Sequence, residues 1–386
     1  MMLALLFAAA VGAQSDPAVV LRPLHTIDVA SSIAGYARDE QYEYLATGGG
    51  VYRAPRIAAG PLERLSGAGE IANAVAVHDG TLYVLKGHTD AVAPFPTLLR
   101  SRDRGATFQS DAQELIDCSL EQWTKRCDYL VPTGISFSDG RTFLEASGNL
   151  LVAEDGTTSW NVLIGTTNNG RPGAQVCPLV HERIGTRVLG GSECPLDVAW
   201  IGSGTLRDDL LDWSVPFSHR AAITPALGNR MVQFIRHVGN EVVYSGVEGA
   251  LLKSTDGGRS FRYVIFHPLE GGDELGYVVP PVERRYPYVQ QLIIPSRHSR
   301  RVIVAGFDKA GGSTSYLAYS DDGGESWRDQ SHLLTGARVA LVVEDRDGRI
   351  LIGVNEGDGA ASSTRLALFE LELPAPPPVK RRRAVH

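Results

Sequence analysis

The sequence predicts an all-β fold, a β-propeller of seven four-stranded blades, with six blades as the alternative. A turn motif starts at Ser101, Ala153, Ser254 and Ser320, so that successive copies are 52, 101 and 66 residues apart. The gap of 101 residues is close to two periods. It therefore implies one degenerate copy and a repeat of about 50 residues, the size of a four-stranded blade. Strand-like alternation dominates, and helical periodicity is absent.

Three further units bring the count to seven, each in a segment that lacks the full motif. Thr205–Trp213 lies where the copy inside the long gap is expected. Counting one period back from the first copy reaches Gly48–Arg53, and counting one period forward from the last copy reaches Ser363–Leu373. Counting these segments gives seven units.

Two hairpin patterns predict strands within the units. Ala74–Leu85 alternates apolar residues on both sides of Asp79-Gly80, and Ala340–Gly353 does so on both sides of Asp347-Gly348. Asp-Gly is a turn dipeptide that joins two antiparallel strands.

A closed ring has to hide the edges of its first and last strands. We therefore expect Val19–Ile27 to pair with the strand Arg365–Leu373, so that the N- and C-terminal strands close one blade. The propeller domain is predicted to span residues 19–373.

Each residue type in the motif has a role in a tight turn. The copies read Ser-Arg-Asp-Arg-Gly-Ala-Thr-Phe, Ala-Glu-Asp-Gly-Thr-Thr-Ser-Trp, Ser-Thr-Asp-Gly-Gly-Arg-Ser-Phe and Ser-Asp-Asp-Gly-Gly-Glu-Ser-Trp. The carboxylate accepts backbone N–H groups across the turn, the glycine suits a positive φ, and the aromatic ring points back into the apolar layer. The structural residues are Asp103, Asp155, Asp256 and Asp322 with Phe108, Trp160, Phe261 and Trp327.

This pattern, Ser-x-Asp-x-Gly-x-Ser/Thr-Trp/Phe, resembles the Asp-box or BNR repeat of sialidase-like and sortilin-like propellers. The second copy departs from it, with Ala153 at the first position and Thr157 in place of glycine. The resemblance spans nearly the whole chain. It implies aspartates that hold turns rather than catalyse, because turn hydrogen bonds already occupy their oxygens. Such propellers include sialidases and other glycoside hydrolases, the binding propellers of sorting receptors, and photosystem assembly factors.

Both ends of the chain differ from the repeat region. Residues 1–13 are a short apolar run that ends in Val11-Gly12-Ala13, and we expect a secretory signal peptide there. The predicted location is therefore the periplasm, the cell surface or the extracellular space. Residues 374–386 join a proline-rich stretch to the basic run Lys380–Arg383, and we expect a disordered tail whose role stays open.

Four cysteines fit an exported chain, in which an even count indicates disulfides. Three pairings are open, and we favour the sequential one, Cys118–Cys127 with Cys177–Cys194. The sequence has no Cys-x-x-Cys pair, and no two histidines are spaced i, i+4 around a glutamate, so no metal site is predicted. Asn355–Gly359 is a weak calcium pattern without the full spacing of a binding loop. We expect no cofactor.

The charge balance argues against a nucleic-acid partner. The net charge is −7, and without the four cations of Lys380–Arg383 the chain has 33 basic and 44 acidic residues, a net of −11. Such a body repels phosphate backbones. No apolar run approaches the length of about 20 residues that crosses a bilayer, so a chain that does not span the membrane is expected, as a monomer.

Strand connectivity predicts which face binds a ligand. The 1–2 and 3–4 turns of every blade lie at one end, and the 2–3 turns and blade-to-blade connections lie at the other. The Asp-boxes are 3–4 turns, and the long segments 109–130, 166–178 and 267–287 belong to the opposite end. Aromatic residues mixed with arginines and carboxylates on a rigid rim are typical of a sugar or peptide site. The ligand-binding candidates are Trp123, Tyr129, Arg171, Tyr277, Arg284 and Tyr286.

The sequence favours binding over catalysis. A sialidase needs three arginines on the substrate carboxylate, a Tyr–Glu nucleophile pair and an acidic aspartate. The nearest match to the early Arg-Ile-Pro motif of that family is Tyr52-Arg53-Ala-Pro55, which falls on a third strand, and Tyr316 and Tyr319 fall on an outer strand. The first hypothesis is therefore an exported propeller that binds a glycan or protein ligand. The alternative is a glycoside hydrolase with catalytic candidates Glu270, Asp273, Glu274 and Glu283.

Overall fold

The structure, a computed structural model, describes residues 19–28, 32–56, 62–69, 71–86, 97–111, 132–138, 140–146, 149–154, 161–164, 180–193, 199–207, 210–212, 222–224, 232–247, 250–266, 287–308, 315–356 and 365–376. Over these residues the chain forms 29 β-strands in seven sheets, which follow one another in chain order as blades 1 to 7. The predicted all-β propeller is confirmed, with seven blades rather than six.

Blades 1 to 3 are antiparallel meanders of four strands. Blade 1 contains β2 (Ile33–Arg38), β3 (Tyr42–Thr47), β4 (Gly50–Pro55) and β5 (Glu63–Arg64). Blade 2 contains β6 (Ala72–His78), β7 (Thr81–Lys86), β8 (Thr97–Ser101) and β9 (Gln109–Asp111). Blade 3 contains β10 (Pro132–Ser138), β11 (Arg141–Ala146), β12 (Asn149–Glu154) and β13 (Asn161–Ile164).

Blades 4 to 6 repeat this pattern, and blade 5 extends it. Blade 4 contains β14 (Val180–Ile184), β15 (Arg187–Glu193), β16 (Ala199–Arg207) and β17 (Leu210–Asp212). Blade 5 contains β19 (Val232–Val238), β20 (Val242–Val247), β21 (Ala250–Ser254) and β22 (Ser260–Phe266). The short strand β18 (Ala222–Thr224) joins β22 in parallel as a fifth strand that the sequence did not predict. Blade 6 contains β23 (Pro287–Ile293), β24 (Val302–Asp308), β25 (Ser315–Ser320) and β26 (Arg328–Asp329).

Blade 7 joins the two ends of the chain. Its inner strands are β27 (Ala337–Glu344), β28 (Ile350–Glu356) and β29 (Arg365–Glu372), and its outermost strand is β1 (Val20–Ile27). β1 runs antiparallel to β29, with Val20 opposite Glu372 and Ile27 opposite Leu366. The predicted closure of the ring by its terminal strands is confirmed.

The hydrophobic core is divided among the seams between neighbouring blades. Ile235 and Leu252 of blade 5 cluster with Ile201 of blade 4, and Leu351 and Leu368 of blade 7 cluster with Leu45 of blade 1. Blade 5 therefore buries both faces, one against blade 4 and one against blade 6, which explains the long buried run Ala250–Ser254.

The predicted hairpin turns are confirmed. Asp79 and Gly80 both adopt positive φ between β6 and β7. Gly48 and Gly49 connect the second and third strands of blade 1, and the strand within the last unit, Arg365–Glu372, is the third strand of blade 7. The period of about 50 residues measures a whole blade. It therefore locates blades but not the 3–4 turn within a blade whose loops differ in length.

Helical structure within the described residues includes the short 3₁₀ turns Ser66–Ala68 and Ser331–Leu334. No helix among those residues is long and apolar enough to cross a membrane. All four cysteines, residues 1–13 and residues 377–386 lie outside the described residues.

Candidate functional site

The two ends of the propeller are formed by different strand connections. Every blade begins with its innermost strand, and because consecutive strands are antiparallel, the 1–2 and 3–4 turns share one end, here called the turn end. The 2–3 turns and the blade-to-blade connections share the other, here called the loop end.

Three turns at the turn end have the same hydrogen-bond pattern around an aspartate. In the turn of blade 5, Asp256 Oδ1 accepts bonds from Ser254 Oγ at 2.7 Å and from the backbone N–H of Ser260 at 2.9 Å, while Oδ2 accepts the Ser260 hydroxyl. Asp103 and Asp322 accept the same set of bonds in blades 2 and 6. Their carboxylates are therefore occupied by the turns they close.

These hydrogen bonds also determine the ionisation of the aspartates. The side chain and backbone of Thr107 donate to Asp103 and lower its pKa to about 2. Burial opposes ionisation of Asp256 and Asp322, but serine and backbone donors outweigh it and bring the pKa of each carboxyl to about 2. The three groups stay charged and engaged across the neutral range, which disfavours them as proton donors.

The glycines of these turns adopt the predicted backbone conformation. Gly105, Gly258 and Gly324 have φ values of +89°, +85° and +88°. A Cβ at Gly105 would lie 2.4 Å from Leu65 Cδ1 of blade 1, so glycine is required there by contact as well as by φ.

The aromatic residues of the turns reach the apolar seams. Phe261 is buried in the cluster between blades 4 and 5, and Trp327 and Phe108 are partly buried against the clusters of blades 5 and 6 and of blades 1 and 2. Asp155 and Trp160 of the second motif copy lie outside the described residues.

A basic side chain of the preceding blade binds each of the three turns. Lys253 Nζ of blade 5 donates to the carbonyl of Gly323 in blade 6 at 2.6 Å, and Arg53 Nη1 of blade 1 donates to the carbonyl of Arg104 in blade 2 at 2.6 Å. Arg187 of blade 4 donates to the carbonyl of Gly257 in blade 5. In each turn the acceptor lies three residues after the serine that starts the motif. The Asp turns therefore tie neighbouring blades together.

Blade 7 has no Asp turn, yet the same kind of contact recurs there. Arg301 Nη2 of blade 6 donates to the carbonyl of Pro374, two residues after β29 ends. Because β1 occupies the fourth position of blade 7, the chain leaves the propeller at the turn end. Pro374, which the sequence assigned to the disordered tail, is thus bound to blade 6.

A charged network lies in the seam between blades 7 and 1 at the turn end. Arg38 Nη1 of blade 1 contacts Asp345 at 3.0 Å, and both side chains are almost fully buried. Glu43 of blade 1 receives bonds from Arg349 Nη2 at 2.6 Å and from His25 Nε2 of β1 at 3.3 Å. Charged side chains of blade 1 thus bind charged side chains of blade 7 across this seam.

Another side chain bridges blades that are not neighbours. Arg346, in the 1–2 turn of blade 7, donates to the carbonyl of Val77 on the innermost strand of blade 2 at 3.0 Å. Blade 1 lies between these two blades, so the Arg346 side chain spans blade 1 at the turn end.

The innermost strands carry a repeated irregularity near the loop end. In six of the seven blades, the described part of the first strand has a β-bulge close to its start. The extra residues of these bulges are Ala34, Asn73, Thr133, Gln233, Gln290 and Ala340. A bulge re-aims a side chain and interrupts the regular edge of the strand. In blade 4, β14 is regular over Val180–Ile184.

Charged residues gather at the seams of blades 3, 4 and 5 beside the channel. Glu182 on β14 lies 2.5 Å from His237 Nδ1 and 3.5 Å from Arg236 Nη1, both on β19. Burial raises the pKa of Glu145 on β11, with Glu182 adding to the shift and Arg236 opposing it. A carboxyl whose pKa is raised by burial and by a second carboxylate is found at many functional sites.

Among the described residues, no group of three His, Cys, Asp or Glu side chains is placed to hold a metal ion. Asn355 of the weak calcium pattern accepts a bond from the backbone N–H of Ile33 at 3.4 Å in the seam of blades 7 and 1. Gly357–Gly359 lie outside the described residues.

The predicted ligand-binding residues and catalytic candidates all lie outside the described residues. These are Trp123, Tyr129, Arg171, Tyr277, Arg284 and Tyr286, with Glu270, Asp273, Glu274 and Glu283. The strands on either side of their segments are those expected, since each segment connects the fourth strand of one blade to the first strand of the next. Arg53, Tyr316 and Tyr319 lie on third strands, as predicted.

Comparisons with solved structures agree with this architecture. Similar structures include YCF48 from Cyanidioschyzon merolae, at 13% identity and a TM-score of 0.58, with 92% of this chain and 98% of that chain covered. An extracellular domain of a two-component system from B. thetaiotaomicron matches at 10% identity and 0.54, covering 90% of this chain and 39% of that one. The GH74 xyloglucanase of Xanthomonas campestris matches at 15% and 0.53, covering 90% and 55%.

These likenesses show a β-propeller fold. No family model and no curated protein matches the chain. The three structures have less than 25% identity to it, so they indicate the fold and leave the activity open.

Several residues of the blade seams were not predicted from the sequence. Glu145, Glu182 and His237 lie on three strands of three blades and have no motif in common. The bulged positions are equally scattered. Because the first strand of each blade faces the channel, aligning the seven first strands would have exposed the shared position.

Proposed function

We propose that this chain is an exported Asp-box β-propeller that binds a glycan or protein ligand at its loop end without catalysis. The observation that carries the proposal is the difference between the two ends. At the turn end, the aspartates, the turn carbonyls and Arg346 are engaged in bonds within and between blades. At the loop end, β-bulges interrupt the backbone pairing of six innermost strands near their first residues.

Ligand sites on propellers need a rigid frame that positions variable loops. Bonds at the turn end supply that frame, because they tie blade 1 to 2, 4 to 5 and 5 to 6. The segments 112–131 and 267–286 connect blades at the loop end and carry the predicted aromatic and basic residues. This combination supports a ligand site on that end.

Export rests on the apolar run 1–13 and the even number of cysteines. The fold likeness to an extracellular bacterial domain is compatible with it. Mass spectrometry of the mature protein tests export, with a start near Gln14 and no free thiol as the expected result.

The ligand site is tested with Tyr277→Ala and Arg284→Ala. We expect affinity for a hit from a glycan array or a peptide library to fall by about 10-fold or more, the effect of removing an interface anchor. Arg259→Ala, on the exposed Asp turn of blade 5, is the control and should leave affinity unchanged. Equal losses at both ends, with unchanged melting temperatures, would contradict the assignment.

The environments of Glu145 and Glu182 favour one second candidate, a glycoside hydrolase. Burial raises the pKa of the Glu145 carboxyl, whereas Arg236 and His237 contact Glu182. Such unequal carboxyls suit general acid and base roles. Hydrolysis of aryl glycosides that is lost in Glu145→Gln and in Glu182→Gln would support this candidate.

A further inference from the structure

Exposed arginines gather in two neighbouring turns at the turn end. The 1–2 turn of blade 6 carries Arg297 and Arg300, the 1–2 turn of blade 7 carries Arg346, and all three residues are exposed. Arg297 packs against Gly348 of blade 7, since a Cβ on that glycine would lie 3.1 Å from Arg297 Nε. The two turns therefore adjoin, and the three arginines are here called the arginine patch.

The arginine patch has no carboxylate partner within the described part of the chain. No ion pair there includes Arg297 or Arg300, and Arg346 donates to a neutral main-chain carbonyl. By contrast, the exposed Arg22 contacts Glu372. The patch thus presents positive charge that no ion pair neutralises.

The carboxylates beside the patch are bound by other groups. Residues 295–301 contain no Asp or Glu. Asp321 is paired with the buried Arg301 at 2.7 Å. The two oxygens of Glu344 accept the backbone N–H of Ser296 at 3.0 and 2.8 Å. Neither carboxylate therefore contacts the patch.

The basic run near the C-terminus begins close to the same turn. Arg301 donates to the carbonyl of Pro374 at 2.6 Å, which holds the chain beside blade 6. Six residues lead from Pro374 to Lys380, a reach of about 20 Å at full extension. The four cations of Lys380–Arg383 are therefore within reach of the arginine patch.

We propose that the arginine patch and the run Lys380–Arg383 together bind a membrane surface rich in anionic lipids. Phosphate headgroups attract exposed cations, and each Lys or Arg near such a surface strengthens binding by about 5-fold. This attraction requires no pocket, which agrees with exposed side chains on two turns. The proposal does not depend on a ligand at the loop end.

The acidic remainder of the chain gives this binding a direction. Apart from Lys380–Arg383, 44 acidic residues outnumber 33 basic ones. An anionic membrane therefore repels the molecule as a whole and attracts it at the patch. With the turn end on the membrane, the loop end faces away from it and stays open to ligands.

A duplex nucleic acid is the competing polyanion. Proteins that bind a duplex carry a basic face or stripe that follows its backbone. Here the described unpaired arginines of the patch occupy two turns at one end of an acidic body. This distribution favours a planar lipid surface.

The test is cosedimentation of the full chain with vesicles of phosphatidylglycerol and phosphatidylcholine. We expect binding at low salt, little binding to vesicles of phosphatidylcholine alone, and loss of binding at high salt, because salt screens exposed charges. Arg297→Gln with Arg300→Gln in one variant should weaken binding by about 10-fold or more. Replacing all four cations of Lys380–Arg383 by glutamine should weaken it by about 100-fold or more.

The matched control removes two arginines at the opposite end. Arg64→Gln with Arg365→Gln changes exposed residues at the end of β5 and the start of β29, both at the loop end, and should bind vesicles normally. Melting temperatures should stay unchanged in the Arg297 and Arg300 variant, because both residues are exposed.

Equal weakening in the control would show that total charge decides binding, which would overturn the inference. Unchanged binding by the Arg297 and Arg300 variant would overturn it too, as would equal binding to phosphatidylcholine. Binding of duplex DNA or an anionic polysaccharide in place of the vesicles would have the same consequence. The proposed ligand-binding function would survive each of these results, because Tyr277→Ala and Arg284→Ala test it with a soluble ligand.

Discussion

The ammonium group of Lys253 in blade 5 donates a 2.6 Å hydrogen bond to the main-chain carbonyl of Gly323, inside the Asp turn of blade 6. The Tyr244 hydroxyl donates to the same oxygen at 3.0 Å, and Glu325 accepts a second bond from the lysine at 2.8 Å. Burial and the nearby Glu325 carboxylate raise the pKa of Tyr244 to about 12, so the phenol stays a donor. One Asp turn thus makes hydrogen bonds within its own blade and accepts hydrogen bonds from the neighbouring blade.

Lys253→Met should destabilise the protein by about 2 kcal/mol, the cost of losing a charged hydrogen bond at a buried acceptor. Denaturant unfolding at neutral pH measures it. The control is Arg262→Met, which removes an exposed partner of the same Glu325 and should cost about 0.5 kcal/mol or less. Equal losses in the two variants would show that the Glu325 ion pair, rather than the Gly323 carbonyl, carries the effect.

Asp256→Ala should cost about 1–2 kcal/mol, the range for removing a capping side chain that satisfies backbone donors. Asp256→Asn should cost less, because its carbonyl oxygen still accepts the N–H of Arg259 and of Ser260. Unfolding curves compare the two. Ligand affinity in the folded fraction should not change, and a loss of binding at wild-type stability would assign the aspartate a functional role instead.

Acid should weaken the closure between blades 7 and 1. Burial opposes ionisation of Glu43, but bonds from His25 and Arg349 outweigh it and hold its pKa below the ordinary value. Asp347 has a lowered pKa chiefly because Arg38 donates to it. A carboxyl with a lowered folded-state pKa stabilises the fold above its unfolded pKa, and this contribution is lost as pH falls through the folded value.

Stability should therefore be level from neutral pH to about pH 5 and fall below about pH 4, near the unfolded pKa of Glu and Asp. Denaturant midpoints across this range measure the fall. Glu43→Gln should be less stable at neutral pH and less sensitive to acid, whereas Glu40→Gln, at an exposed site, should follow the wild type. A parallel pH profile in Glu43→Gln would exclude Glu43 as a source of the acid sensitivity.

Deleting residues 19–27 should abolish cooperative folding, because the outer edge of β29 and the apolar seam beside Ile27 would be exposed. A synthetic peptide of residues 19–28 should restore a cooperative thermal transition, and a scrambled peptide should not. A deletion variant that melts like the full chain would show that β1 is dispensable for closure.

The repeat could be predicted from the sequence because its information is local. Ser254, Asp256 and Ser260 meet within one turn, so their spacing alone specifies the contacts that the structure shows. The hairpin at Asp79-Gly80 could be predicted as well, because apolar residues alternate on both sides of the turn. The pairing of Val20–Ile27 with β29 could be predicted because the edge of the last blade has to be covered.

The seams could not be predicted in this way. Lys253 and Gly323 are 70 residues apart, and Arg346 and Val77 are 269 apart, so no sequence window contains both partners. Glu145, Glu182 and His237 come together only because blades 3, 4 and 5 stand side by side around one channel. The sequence by itself determined an all-β repeat, its turns and its closing strands. Only the geometry of the closed ring of blades decided which turns bind the next blade and which charges share a seam, because those contacts depend on how rigid blades pack against each other.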